Sequence, residues 1–332
     1  MKNTRLAVWI SVAALVIASL IFIRSTRPTP DPENVRVMFI PGGNTPFWQL
    51  AVAGAEAAAK RYKIQLSVTL PEGGHQQQSE ILEKIAPNQF DGIAISPRAP
   101  ESQNELLSKL AKGVHLITFD ADAPDSDRLC YVGTDNYSAG RLAAQLVKEA
   151  APAGGKIALL VANFKKDNAV LRVKGFQDEI QRYLTADTNT PLYELLEPIE
   201  DDIDMSRCRE NITSTLQQHP DVAALVGMFS YHGPILLDVV SSIEEGKKPQ
   251  LITFDKEDDV LNGIQDQKIY ASVVQDPFKY GFESVRTIQA LKSGSMMELP
   301  IAGSGSLFLP CEAITSENVA EFRRRLATRL KQ

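Results

Sequence analysis

Two aspartates carry the first chemical signal in this chain of 332 residues. Asp120 closes the word Leu116-Ile117-Thr118-Phe119-Asp120, and the same five letters return as Leu251-Ile252-Thr253-Phe254-Asp255. Each copy is a run of strand-forming residues followed by a carboxylate. Carboxylates accept hydrogen bonds at both oxygens, so a matched pair suits a ligand rich in hydroxyls. So short a word either recurs by chance or marks two lobes of like topology. In the second case each lobe brings one Asp to the carboxyl end of a parallel strand, where ligands of open α/β sheets bind. Further candidates stand at expected strand ends and helix starts. Thr45, Phe47 and Trp48 open a helix after the first strand; the aromatic pair is either core or a platform facing a cleft. Ser96 closes a strand before Pro97. Asn136 follows Thr134-Asp135, three polar residues where an N-cap explains one. Arg172 lies among Val170, Val173 and Phe176, as a surface ion-pair partner or a ligand donor. Gln275 ends the strand 271–274 before Asp276-Pro277.

The search for reactive groups is negative. His75, His115, His219 and His232 show neither an HExxH motif nor i,i+4 pairing, so no zinc site is expected. There is no G-x-S-x-G elbow, phosphate loop or dinucleotide fingerprint. Pro41-Gly42-Gly43-Asn44 reads as a tight turn before an anion cradle. The acidic run 120–127 fails as a calcium loop, with Pro124 where a ligand belongs. Asp202 and Asp204 read as solvated loop charges before a paired-acid site. Cys130, Cys208 and Cys311 are too dispersed for a disulfide scaffold or a CxxC site. The expectation is a protein that is not an enzyme and uses no cofactor or metal.

These residues need a frame, and hydrophobic patterning supplies one. Strands are expected at residues 35–40, 64–70, 92–96, 115–120, 131–132, 157–162, 223–229, 250–255 and 270–275. Between them come helices at 47–62, 78–85, 102–111, from about 137, 169–183 and 234–242. Such alternation implies an α/β fold whose parallel sheets are covered on both faces. A net charge of −6 argues against a nucleic-acid binder, which needs a basic face. Residues 6–23 form an uncharged apolar run after Lys2 and Arg5, long enough for a membrane anchor or a secretory signal. Small residues spaced for cleavage are missing at its end, and no lipidation cysteine follows, so an uncleaved anchor is the expectation. Residues 24–34 hold three prolines and read as an extended tether.

From residue 35 to about 322 the chain resembles the type I periplasmic binding proteins of the ribose-binding group, the solute receptors of sugar ABC transporters. The resemblance rests on Asn44-Thr45-Pro46-Phe47-Trp48, Gly92-Ile93-Ala94-Ile95-Ser96-Pro97, Leu116 to Asp120 and Gly133-Thr134-Asp135-Asn136 with Ala139-Gly140. It continues in Arg172-Val173-Lys174-Gly175-Phe176, His219-Pro220-Asp221-Val222, Phe254-Asp255 and Gln275. It implies two Rossmann-like lobes with parallel sheets, joined by a three-stranded hinge and closing over a sugar. By motif position, ligand contacts fall on Thr45, Phe47, Trp48, Ser96, Asp120, Asn136, Arg172, Asp255 and Gln275. Three departures put ribose itself in question: Ala121 replaces an expected arginine, Ile203 replaces an aromatic, and Gly227-Met228-Phe229-Ser230-Tyr231 lacks an asparagine. Phe229 or Tyr231 then takes over stacking on the ligand. The implied layout is a leader at 1–34, lobe 1 at 35–134 plus 276–305, and lobe 2 at 135–275 plus 306–325. Its hinges fall at Thr134-Asp135, Gln275-Asp276 and Gly303 to Ser306. The function so implied is capture of a sugar or polyol for an ABC permease by a monomer on the periplasmic side of the cytoplasmic membrane. A membrane-tethered sugar sensor signalling to a partner protein is the alternative.

Overall fold

The computed structural model describes residues 35–186, 192–243, 248–295 and 305–329. The apolar run at 6–23 and the tether lie outside these residues. Among the described residues no helix is long and apolar enough to cross a membrane.

The first sheet is built from β1 (Arg36–Ile40), β2 (Gln65–Val68), β3 (Gly92–Ile95), β4 (His115–Phe119), β5 (Cys130–Thr134) and β12 (Ser306–Leu309), in the order β12-β5-β4-β3-β1-β2. All of its pairings are parallel. The second contains β6 (Gly155–Val161), β7 (Tyr193–Leu195), β8 (Ile199–Glu200), β9 (Val222–Gly227), β10 (Gln250–Phe254), β11 (Ala271–Val274) and β13 (Glu312–Thr315). Its order is β13-β11-β10-β9-β6-β7, with β8 also on β6 and only β13 antiparallel. Without the late strands the two orders coincide, 5-4-3-1-2 against 11-10-9-6-7. The repeated word therefore falls on equivalent strands, β4 and β10, and equal topology, not chance, accounts for its position.

Alternating side chains of each strand enter two separate cores. In the first lobe Val37, Phe39, Ile117 and Phe119 face one way, while Met38, Ile40, Ile93 and Leu116 face the other. Helices cover both sides: α1 (Pro46–Tyr62), α2 (Gly74–Glu83), α3 (Pro100–Ala111) and α9 (Pro277–Ser293) in this lobe. The second lobe carries α4 (Asn136–Ala150), α5 (Asp167–Ala186), α6 (Met205–Gln218), α7 (His232–Ser241), α8 (Asp258–Gln265) and α10 (Val319–Arg329). Patterning does not anticipate α6, because its stripe is thin and polar. Its start is nevertheless encoded: Asp204 Oδ1 accepts from the N–H groups of Ser206 and Arg207, an N-cap, and Asp202 pairs with Arg207 at 2.5 Å. The two acids read as solvated loop charge thus start a helix.

The chain passes between sheets three times. β5 leads through Thr134-Asp135 into α4, and β11 leads through Gln275-Asp276 into α9. The third passage corrects the expected layout. Residues 306–309 form β12 on the edge of the first sheet, paired with β5, so they do not belong with the second lobe, and the crossing lies at Pro310-Cys311. The glycine-serine composition looks hinge-like, but Gly305 is tied down by its carbonyl, which accepts from Tyr131 N–H at 2.8 Å and Arg128 Nη1 at 3.0 Å. Pro310, with no N–H to donate, ends the strand.

Candidate functional site

β4 and β10 each end in an Asp with left-handed backbone, φ 62° at Asp120 and 68° at Asp255. Non-glycine residues enter this region at a cost of roughly 1–2 kcal/mol, and Asp enters it more readily than most. Matching bonds hold both turns. Asp120 N–H donates to Val132 O at 3.1 Å and Asp255 N–H to Val273 O at 3.0 Å. Their carbonyls accept from Tyr131 Oη at 3.0 Å and Ser272 Oγ at 2.6 Å. The two lobes thus present a carboxylate by the same device at the same end of the same strand.

Arg172, buried on α5, acts electrostatically on both carboxylates. Its Nε donates to Asn136 Oδ1 at 2.9 Å, Nη1 to Met228 O at 2.6 Å and Nη2 to Gln275 Oε1 at 3.0 Å. The guanidinium also rests 4.5 Å from the Phe254 ring centre and 5.2 Å from that of Phe229. Three of its five N–H groups are thereby placed on neutral acceptors. Gln275 Nε2 donates to both Asp255 oxygens, at 3.0 and 3.2 Å. Asn136, Arg172, Phe229, Asp255 and Gln275 form one connected set.

Asp120 and Ser96 join this set from the first lobe. Burial pushes the Asp120 carboxyl up to about 7, aided by the Asp255 charge and opposed by Arg172, Lys166 and a hydrogen bond from Ser96. Burial raises Asp255 as well, against Arg172 and the Gln275 amide. Two acids and one guanidinium short of water make strong hydrogen-bonding groups for a ligand that replaces solvent. Phe47 and Trp48 meet edge to face at 5.0 Å; Trp48 lies 6.3 Å from Phe119, and Phe47 lies 6.3 Å from Tyr280. A Cβ on Gly43 would stand 3.1 Å from the indole, so the glycine turn makes room for Trp48. Thr45 stands apart: it is the exposed N-cap of α1 and its side chain makes no cap bond.

Behind Phe229 lies a buried cluster that motif reading misses. His232 Nδ1 accepts from Phe229 N–H at 3.2 Å, while Nε2 faces Asp201 Oδ2 at 2.7 Å, so the neutral ring carries its proton on Nε2. Burial holds His232 below the ordinary histidine range despite the adjacent Asp201. Asp201 Oδ1 also accepts from Tyr231 Oη at 2.5 Å and Ile203 N–H at 2.9 Å. Ile203 itself has φ 64°, an outlying value for a β-branched residue. The His-Asp pair therefore fixes two loops at once, the one carrying Ile203 and the one carrying Phe229. Asp201, Cys208 and His232 bring ligand atoms within 4.8 Å of one another. Both imidazole nitrogens are already engaged and burial pushes the Cys208 thiol up to about 12, so the trio suits a cation poorly.

Tyr280 is the other residue that sequence reading missed. Its hydroxyl bonds Thr134 Oγ1 and donates to Gln275 Oε1 at 3.2 Å, tying two crossings to the Arg172 set. The sequence holds no sign of this role, because Tyr280 sits mid-helix in an apolar context.

Residues 36–296 match the periplasmic binding protein domain family. The ribose import binding protein of Bacillus subtilis is 24% identical over 261 residues, covering 78% of this chain and 82% of that protein. The D-apiose import binding protein of Paraburkholderia graminis is 22% identical over 292 residues, 86% of this chain and 89% of its own length. An ABC transporter solute-binding protein from Burkholderia graminis, solved with D-arabinose, superposes with a TM-score of 0.74 at 25% identity, covering 88% of this chain and 98% of that one. A glucose-galactose binding protein from Geobacillus stearothermophilus gives 0.75 at 25% identity over 86% and 99%. Matched lobes, three crossings and paired strand-end carboxylates are thus found in a chain that belongs to the periplasmic binding protein domain family, whose members bind solutes and are not enzymes.

Proposed function

We propose that the protein captures a sugar or related polyol between its lobes and delivers it to an ABC permease. The observation that carries this reading is Asp120 and Asp255, presented alike from opposite lobes and both under the influence of the buried Arg172 charge. Carboxylates accept from ligand hydroxyls, the guanidinium and the Gln275 and Asn136 amides donate, and Phe47, Trp48 and Phe229 cover apolar ring faces. Ser96 orients Asp120. The relatives named for ribose and D-apiose import support the ligand class. A thermal-shift screen over neutral pentoses, hexoses and polyols tests it, since a ligand bound only by the folded chain raises the melting temperature. Silence across the panel overturns the reading.

The apolar run at 6–23 supports a location on the outer face of the cytoplasmic membrane, held by an uncleaved anchor. Cell fractionation followed by N-terminal sequencing checks this; a soluble product starting beyond Arg24 marks a cleaved signal instead. The same run favours a second reading, a tethered sensor passing occupancy to a partner protein. A neighbouring histidine-kinase gene in place of permease and ATPase genes selects that reading.

A further inference from the structure

Four polar side chains with 0% exposure form two pairs behind the site, one in each lobe: Gln78 with Gln103, and Asp201 with His232. Gln103 Nε2 donates to Gln78 Oε1 at 3.1 Å, and His232 Nε2 faces Asp201 Oδ2 at 2.7 Å. Polar groups are costly to bury unless they are satisfied, so their other bonds show what they hold.

Both pairs hold the same part of their lobe, the segment after its middle strand. β3 and β9 take the same place in the two strand orders. Ser96 is the first residue after β3, and Met228 is the first after β9. Ser96 N–H donates to Ile40 O of β1 and Met228 N–H to Leu160 O of β6, both at 3.0 Å. Beyond this shared register the buried pairs take over. Gln78 Nε2 donates to Ser96 O at 2.9 Å, Gln78 Oε1 accepts from Arg98 N–H at 2.9 Å, and Gln103 Oε1 accepts from Ala99 N–H at 3.2 Å. In the second lobe His232 Nδ1 accepts from Phe229 N–H at 3.2 Å. The pairs also come from matching elements. Gln78 and Asp201 follow β2 and β8, while Gln103 and His232 lie in the first turns of α3 and α7, the helices after β3 and β9. Each held segment reaches the site. Ser96 hydrogen-bonds Asp120, and Arg98 Nη1 donates to Gly42 O at 2.5 Å, in the turn that houses Trp48. Phe229 packs on the Arg172 guanidinium, whose Nη1 bonds Met228 O.

We propose that Gln78–Gln103 and Asp201–His232 are matched positioning pairs, which hold the Ser96 and Phe229 segments in the geometry that receives the ligand. This deepens the sugar-capture reading and rests on it. Two amides in one lobe and an acid with an imidazole in the other share no chemistry except the backbone groups they hold. Their recurrence at one topological position therefore points to those segments, and not to packing of one lobe. The four side chains act through Ser96 and Phe229 without touching the ligand.

Double-mutant cycles by calorimetry on the full chain in mild detergent test this, with D-ribose, D-arabinose, D-glucose and D-galactose as probes. His232→Gln keeps a donor for Asp201 and loses the acceptor for Phe229 N–H, and Gln78→Met releases Ser96 O and Arg98 N–H. Each should raise the dissociation constant about 3- to 10-fold, as for one lost hydrogen bond. Neither loss should exceed about twofold when His232→Gln is made in Phe229→Ala, or Gln78→Met in Ser96→Ala. His232→Asn, which keeps an acceptor near Nδ1, should recover most of the first loss. Where Gln78→Met does not fold, Gln103→Met takes its place. Additive losses overturn the inference, as does wild-type affinity in the folded variants with only the melting temperature lowered; both leave sugar capture standing. Coupling in one lobe alone also overturns it, since the pairs are then not matched. If the unmodified chain binds none of the four probes, this inference and the sugar reading fail together.

Discussion

Asp120 and Asp255 are the residues on which the proposed binding turns, and their charge has a cost before any ligand arrives. Asp120 titrates at about 7 in the folded chain against 3.8 for an ordinary aspartate, chiefly through burial. Between those values the folded chain keeps a proton that the unfolded chain has released. Asp120 therefore makes a contribution to the stability of the free protein that falls as pH rises from about 4 to about 7. Asp120→Asn removes this dependence. The variant should melt above the wild type at pH 8, with the gap closing toward pH 4; a gap independent of pH would show that the carboxylate is not short of solvation. For the ligand found by screening, Asp120→Ala and Asp255→Ala should each raise the dissociation constant roughly 10- to 150-fold, the loss of one charge-assisted hydrogen bond. Asn at either position should do less harm, since the amide oxygen still accepts. Calorimetry on folded variants reads the outcome, and near-wild-type affinity in both removes the pair from the site.

Arg172 reaches its partners only because two helices touch. A Cβ on Gly140 of α4 would fall onto the Arg172 carbonyl oxygen of α5, and one on Gly175 would fall onto the Tyr137 carbonyl. The first lobe repeats the contact between α1 and α9, where Gly54 meets Phe278 O and Gly281 meets Ala51 O. Backbone cannot yield as a flexible side chain does, so Gly54→Ala and Gly140→Ala should each cost about 1–3 kcal/mol of stability. Their effects on binding should differ. Gly140→Ala shifts the turn of α5 that carries Arg172 and should weaken binding severalfold, whereas Gly54→Ala should bind closer to wild type once folded. Melting temperature and affinity measured on both separate packing from positioning. Equal loss of affinity would mean that α5 does not set the guanidinium alone.

At the scale of the molecule, two lobes with their own two-faced cores meet through three short crossings. Thr134 of the first crossing bonds Tyr280 and lies 3.6 Å from Cys311 Sγ of the third, while Tyr280 donates to Gln275 of the second. Burial pushes the Cys311 thiol up to about 11, so it stays protonated here. Because Gln275 also holds Arg172 and Asp255, the crossings and the candidate site share a residue. Bending at the crossings should then change the cleft while each core stays intact. Small-angle scattering should show a smaller radius of gyration at saturating ligand than without it. Equal radii, with an open free form shown by an independent distance measurement, would count against closure.

Sequence alone determined the fold class and the ends of the sheets at which chemistry gathers. Strand and helix periods are local, and a five-residue word ending in Asp was enough to propose two matching lobes. Asn136, Arg172, Asp255 and Gln275 were legible as motif positions before any of their contacts, and Phe229 as one of two aromatics where an expected asparagine is missing. Only tertiary structure decided how they act. The bonds of Arg172 span 36 residues to Asn136 and 103 to Gln275, and a guanidinium on neutral acceptors has no local signature. The placement of β12 was likewise illegible, since a glycine-serine run reads as a hinge until the carbonyl of Gly305 finds Arg128, 177 residues away. His232 and Asp201 illustrate the same limit. A lone histidine and a lone acid 31 residues apart become a pair only when β8 and the start of α7 are packed side by side, because side-chain partnership depends on distance in space and not along the chain.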